Sequence, residues 1–218
     1  MRSLLPPGVA VVEAYKDTPG TFVHPAEAGA LARAVDKRRL EYTTVRHCAR
    51  QALAELGLPP APVLSGAHGE PLWPDGILGS MTHCDGYRAA ALTHKGSLAS
   101  LGIDGEPHEP LPQGVLEAVA RPEEHRYLAE WSREHPGICW DRVLFSAKES
   151  VYKAWFPLAR RWLGFEDAVV RFAPQEGTFT AALHVPGPVI GGAPVTAVCG
   201  RWKVRDGLIL TSASVPAA

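Results

Sequence analysis

Apolar positions recur along the chain with two different periods. Near the middle the period is two. Residues 79–84, 87–93 and 98–104 read as strands, separated by Asp85-Gly86 and by His94-Lys95-Gly96-Ser97. Together they predict a meander that ends at two carboxylates, Asp104 and Glu106. Elsewhere the period is helical. Pro25 and Glu27 open such a pattern, because proline suits a first turn and acids suit its positive end. It runs through Leu31, Val35, Tyr42, Val45, Ala49, Ala52, Leu53 and Leu56, with a break expected near Lys37, until Gly57 and Pro59-Pro60 stop it. Trp140, Val143, Leu144, Ala147, Val151, Ala154 and Trp155 mark a second strong helix, ended or kinked at Pro157. Shorter helical segments are expected at 114–120 and 122–131. Residues 9–15 read as a strand, followed by a turn at Thr18-Pro19-Gly20. Residues 65–77, rich in Gly and Pro, read as a loop. Strands at 168–172, 179–185, 195–204 and 208–215 close the chain, the last two joined by the hairpin signal Asp206-Gly207.

Composition narrows the class. With 218 residues, 46% of them hydrophobic, the chain can bury a substantial core in one large or two small domains. A net charge of -1 gives no reason to expect bulk attraction to nucleic acid or membrane. Cys48, Cys84, Cys139 and Cys199 form no Cys-x-x-Cys pair, which argues against zinc and against a disulfide framework. The apolar run at the N-terminus is short and is interrupted by Pro6-Pro7, unlike a signal peptide. A soluble, cytoplasmic protein is the expectation.

Three groups of residues carry candidate chemistry. Residues two apart on a strand share a face, so Asp104 and Glu106 point the same way, while Leu101 and Ile103 point into a core. Two like charges on one face need a counterion, a shared proton or open water. Mg²⁺ suits them, because it takes oxygen ligands and works beside phosphates. Glu149 and Lys153 lie four apart on the strong helix, and Lys148 sits about 100° round from Glu149. Phe145, Tyr152, Trp155 and Phe156 surround them, and charges among that many aromatics need partners. Lys37, Arg38, Arg39, Arg46 and Arg50 give the first helix a basic face. Arg38 and Arg46, eight apart, lie on roughly one side and could grip phosphate. Each group alone is equally an ordinary solvated surface, and His83 alone is an ordinary strand histidine. Combined, three carboxylates, one Mg²⁺ and two lysines suit a diphosphate substrate attacked at phosphorus.

Gly102-Ile103-Asp104-x-Glu106, followed from residue 145 by Phe145-Ser146-x-Lys148-Glu149-x-x-x-Lys153, resembles the 4′-phosphopantetheinyl transferases. The upstream run Trp73-Pro74-x-Gly76-x-x-Gly79-Ser80-x-Thr82-His83-Cys84 is similar to the longer, single-chain branch, the surfactin and enterobactin-synthetase-component-D types, and to its actinobacterial members. The resemblance implies an α+β fold of two similar subdomains related by a pseudo-twofold, each a helix packed on an antiparallel sheet. Residues 1–100 would carry the basic helix, the coenzyme A loop and the His83 strand. Residues 101–218 would carry the metal acids, the Lys-Glu helix and the C-terminal hairpin.

It also implies a monomeric enzyme that moves the 4′-phosphopantetheine arm of coenzyme A to a serine of an apo acyl or peptidyl carrier protein, releasing adenosine 3′,5′-bisphosphate. Fatty-acid, polyketide, peptide-synthetase and siderophore carriers all fit. Asp104, Glu106 and Glu149, helped by the Gly105 carbonyl, would bind Mg²⁺, or Mn²⁺ in its place. Glu149 would be the general base. Lys148 and Lys153 would hold the diphosphate and ease departure of the bisphosphate. Arg38, Arg46 and His83 would meet the phosphates of coenzyme A, with the Thr82 hydroxyl beside them. Related enzymes often place a lysine where Ser65 stands, and His68 is the one basic side chain left in residues 65–70 to compensate. A non-catalytic coenzyme A or carrier-binding module would keep the basic face without the acids, yet all three acids are present. A phosphotransferase acting on nucleoside triphosphates would need a Gly-rich phosphate loop, and the sequence has none.

Overall fold

The computed structural model describes residues 1–17, 20–32 and 34–217. The turn expected at Thr18 and Pro19 lies outside them. The chain divides into two compact units, Met1–Lys95 and Gly96–Ala218. Both are α+β, with helices packed on antiparallel sheets.

The first unit is built from β1 (Ala10–Ala14), α1 (Asp36–Glu55), β2 (Leu64–Ser65), β3 (Pro71–Leu72), β4 (Ile77–Cys84) and β5 (Tyr87–His94). Its main sheet has the order β1-β5-β4. Small residues let α1 sit close on it: Cys48, Ala49, Ala52 and Leu53 pack against Ala10, Ala90, Leu92 and Val63. The helical pattern that opens at Pro25 is not one helix. Pro25–Leu31 is a 3₁₀ segment, and α1 starts afresh at Asp36. The expected loop at 65–77 contains the small β2–β3 hairpin. The basic face of α1 is not a uniformly solvated one either. Arg50 is buried and donates to both oxygens of Glu27, at 3.0 and 3.1 Å, and to the Phe22 carbonyl at 2.9 Å. Glu27 also accepts from the Val63 N–H at 2.8 Å. A buried pair of this kind holds only because its remaining hydrogen bonds are satisfied.

The second unit begins with β6 (Leu98–Pro107), then α2 (Val115–Val119), α3 (Pro122–Glu134), α4 (Trp140–Ala159), β7 (Ala168–Ala173), β8 (Thr178–Leu183), β9 (Val189–Ile190), β10 (Ala193–Pro194), β11 (Ala197–Arg205) and β12 (Leu208–Pro216). Five of the strands form a sheet in the order β6-β12-β11-β8-β7. The expected central meander is therefore corrected. Strand β5 already has β1 and β4 on its two sides, so β6 finds no free edge there and pairs with β12 instead. His83 and Asp104 belong to different sheets.

Helix α4 crosses the five-stranded sheet on its apolar stripe. Val143, Ala147, Val151 and Ala154 have no exposed surface, and Trp140 joins Trp131, Phe172 and Trp202 in an aromatic cluster. The helix runs past Pro157 to Ala159 and stops at Arg160, which has φ 52°. Asp206 and Gly207, at φ 52° and 75°, form the tight turn between β11 and β12. Among the described residues no two cysteines are joined in a disulfide. Among the described residues no helix is long and apolar enough to cross a membrane.

Candidate active site

The acid strand and α4 meet through Gly102. A Cβ there would lie 2.0 Å from the Ser150 carbonyl oxygen and 2.7 Å from the Ala154 nitrogen, so only glycine admits the helix this closely. Positions 102, 104 and 106 share one face of β6. Asp104 on that face is buried, and its Oδ2 accepts from the Ser146 hydroxyl at 2.8 Å while Oδ1 accepts from Lys153 at 2.7 Å. Glu106 accepts from Arg142 at 2.8 Å. Arg142, Ser146, Glu149 and Lys153 follow one another at spacings of four, three and four, which is one face of a helix. The sequence reading found the last two of these and missed Arg142 and Ser146. The same spacing, run back from Glu149, was the signal that could have found them.

Charge crowds at this face. Burial, and then the charge of Asp104, raises the pKa of Glu106, with Arg142 opposing. Burial also raises that of Glu149. Lys153 pulls it down, and Asp104 and Glu106 push it up further. Glu149 thus feels both acids of the strand. Among the described residues, however, no three His, Cys, Asp or Glu side chains are close enough together to hold an ion. Asp104 is turned to Ser146 and Lys153, and Glu106 to Arg142. The donor set itself fits a hard divalent cation: three carboxylates, with the charge of Glu106 disfavoured by burial and Asp104, and that of Glu149 by burial, Asp104 and Glu106. Gly105 lies buried in the ladder opposite Leu210.

Lys148 must be reassigned. Its ammonium has three protons, and they go to the Val119 carbonyl at 2.9 Å, Glu124 at 2.7 Å and the Phe165 carbonyl at 2.7 Å. It is 3% exposed, and burial lowers its pKa while Glu124 opposes the shift. Glu124 in turn accepts from the backbone of Arg121 and Val170, at 2.8 and 2.7 Å. The pair therefore ties α2, α3, β7 and the Phe165 turn to α4, and leaves no proton on Lys148 for a phosphate. Beside Glu149 opens a cavity of about 250 Å³, walled by Tyr152, Trp162, Leu163 and Phe165 among others. Trp162 is largely exposed and packs on Tyr152 with ring centroids 4.8 Å apart.

The first unit holds the remaining candidates. Arg38 and His83 are in direct contact. Arg38 can only donate, so Nε2 of His83 accepts there. Glu41, which the sequence reading passed over, lies 3.9 Å from Arg38, 3.8 Å from His83 and 3.7 Å from Arg88. Thr82 precedes His83 on β4, so its side chain lies on the other face of that strand. Arg46 does not share the exposure of Arg38. It is buried against the Tyr42 ring, 3.3 Å from its centroid, and donates to Val63 O at 2.9 Å and Ser65 Oγ at 3.1 Å. His68 is exposed between β2 and β3, and its backbone N–H donates to Glu70 at 3.0 Å.

Comparison with known proteins covers both units. Residues 26–93 match the model of the 4′-phosphopantetheinyl transferase N-terminal domain, and residues 100–191 that of the 4′-phosphopantetheinyl transferase superfamily. The chain is 50% identical over 220 residues to the 4′-phosphopantetheinyl transferase Svp of Streptomyces mobaraensis, spanning 100% of this chain and 89% of that protein. It is 50% identical to the 4′-phosphopantetheinyl transferase PptT of Mycobacterium tuberculosis, over 97% of this chain and 96% of that protein. Enterobactin synthase component D of Salmonella typhimurium is 30% identical over 82% of this chain and 72% of that protein.

Proposed function

Because the chain belongs to the 4′-phosphopantetheinyl transferase superfamily, we propose that the Asp104–Glu106 edge of β6 and the Glu149–Lys153 face of α4 carry out phosphopantetheine transfer. The activity is transfer of the 4′-phosphopantetheine moiety of coenzyme A to a serine of an apo carrier protein. The serine oxygen bonds to phosphorus, the bond to the bridging oxygen of the diphosphate breaks, and adenosine 3′,5′-bisphosphate leaves. The serine proton goes to Glu149, directly or through a water. Lys153, now on Asp104, stands ready to meet the diphosphate and the charge that builds on the leaving oxygen.

Asp104, Glu106 and Glu149, with the Gly105 carbonyl, are the groups that would hold Mg²⁺ or Mn²⁺, and a bound ion supplies neutralisation of the diphosphate oxygens. Lys148 acts as an anchor rather than a phosphate ligand. Arg38, Arg46 and His83 receive the phosphates of coenzyme A, with Thr82 and His68 as lesser contacts. The apolar cavity beside Glu149 gives the pantetheine arm a place to lie. Each unit carries one long helix on an antiparallel sheet, which supports reading the chain as two similar subdomains, 1–100 and 101–218, of a cytoplasmic enzyme.

One observation carries most weight: Asp104 of β6 accepts from Ser146 and Lys153, at 2.8 and 2.7 Å, on the face of α4 that also carries Glu149. The test is direct. With Mg²⁺ and coenzyme A, the purified protein should add one phosphopantetheine mass to apo acyl or peptidyl carrier proteins. Asp104→Ala and Glu149→Gln should abolish transfer with the circular dichroism unchanged. No mass shift across a panel of carriers rejects the function, and full activity in either variant rejects that residue's role.

A further inference from the structure

Arg142 takes no part in the chemistry described so far, yet its whole guanidinium serves the acid strand and the segment leaving it. Nη1 donates to Glu106 Oε2 at 2.8 Å, Nε to the Glu109 carbonyl at 3.1 Å and Nη2 to the Pro110 carbonyl at 2.9 Å. The same end of α4 adds two more ties. The Leu111 N–H donates to Asp141 at 2.8 Å, and the Cys139 N–H donates to His108 Nε2 at 3.2 Å. Residues 108–111 are thus sewn to the start of the helix that carries Glu149. The Arg142 and Glu106 side chains are 14% and 18% exposed, so water competes little with their bond. A guanidinium presents its donors in one plane and in fixed directions, and a group it holds at several points loses its freedom to turn.

We infer that Arg142 is the positioning residue for Glu106: it fixes one carboxylate oxygen and the strand exit, and leaves the other oxygen to serve as a ligand. This rests on the reading of Asp104, Glu106 and Glu149 as metal ligands. Partners that orient a ligand in this way typically contribute about 10–100-fold to metal affinity. A lysine at 142 keeps the charge and loses the three-way span.

The experiment follows Mn²⁺ binding by electron paramagnetic resonance on the full chain with coenzyme A present, alongside hydrogen exchange of the 108–111 amides. Arg142→Gln should weaken Mn²⁺ binding about tenfold or more, and Arg142→Lys should fall between it and the parent. Adding Arg142→Gln to Glu106→Gln should weaken binding no further. Unchanged or tighter Mn²⁺ binding in Arg142→Gln, with exchange at 108–111 faster, would overturn the inference and leave Arg142 a loop clamp. An equal loss in the Glu106→Gln background overturns it too. If Arg142→Gln does not fold, Arg142→Lys decides: parental Mn²⁺ affinity counts against the inference and weakened affinity for it. If the parent protein binds no Mn²⁺, the metal reading of the three acids fails first, which is a different result from a parent that binds and a variant that binds equally.

Discussion

Replacing Lys148 separates an anchor from a phosphate ligand. Lys148→Met removes one half of a buried ion pair and leaves Glu124 charged, with the Val119 and Phe165 carbonyls unpaired. Breaking a buried pair from one side costs roughly 3–5 kcal/mol. In a chain of this size about 2–4 °C of melting temperature accompanies each kcal/mol, so the single variant should melt roughly 6–20 °C lower. Adding Glu124→Gln removes the orphaned charge, keeps an acceptor for the Val170 N–H, and should restore about half of that loss or more. Transfer activity should return with it, because Lys148 acts only by holding α4 against α2, α3 and the Phe165 turn. The assays are thermal melts by circular dichroism, and kcat and KM for coenzyme A with an apo carrier protein. A double variant that regains its melting temperature but stays as inactive as Lys148→Met would refute the anchor and return Lys148 to the diphosphate.

Two further outcomes follow from the geometry. Gly102→Ala sets a methyl 2.0 Å from the Ser150 carbonyl, so α4 must shift. Overpacking of this kind costs about 1–3 kcal/mol, and kcat should fall more than KM rises for coenzyme A, since Glu149 and Lys153 move with the helix; unaltered kinetics in a folded variant would show that the close approach is not needed. Glu149→Gln should be inactive but more resistant to urea than the parent at neutral pH without metal. The folded pKa of Glu149 is raised, so its stabilising contribution is complete below the unfolded value and disappears as pH rises through the folded one. The gain should shrink on acidification, and a variant less stable than the parent at neutral pH would contradict the reasoning.

The residues legible in the sequence were those whose spacing is local. Asp104 and Glu106, two apart on a strand, share one face of β6, and Glu149 and Lys153, four apart, share one face of α4. What was not legible depends on which element comes to face which. In the sequence Lys148 points to a phosphate, because it adjoins Glu149 and stands among aromatics. The step of about 100° round the helix turns it to Glu124 on α3, a partner 24 residues earlier in the chain. The basic face of α1 looked uniform, but Glu27, 23 residues before Arg50, draws that arginine inside. Three strands in succession look like a meander from their alternation alone. Nothing in that alternation says that β1 has already claimed the open side of β5.

Strand β6 stands at the border of its sheet, and β12 is its neighbour there, pairing from Pro107 opposite Leu208 to Leu98 opposite Pro216. A ribosome makes the acids at 104 and 106 about a hundred residues before it makes the strand that secures them. The acid-bearing strand therefore waits, without its ladder partner, until β12 has been made. Deleting residues 208–216 would unseat the strand that bears Asp104 and Glu106 without altering either acid.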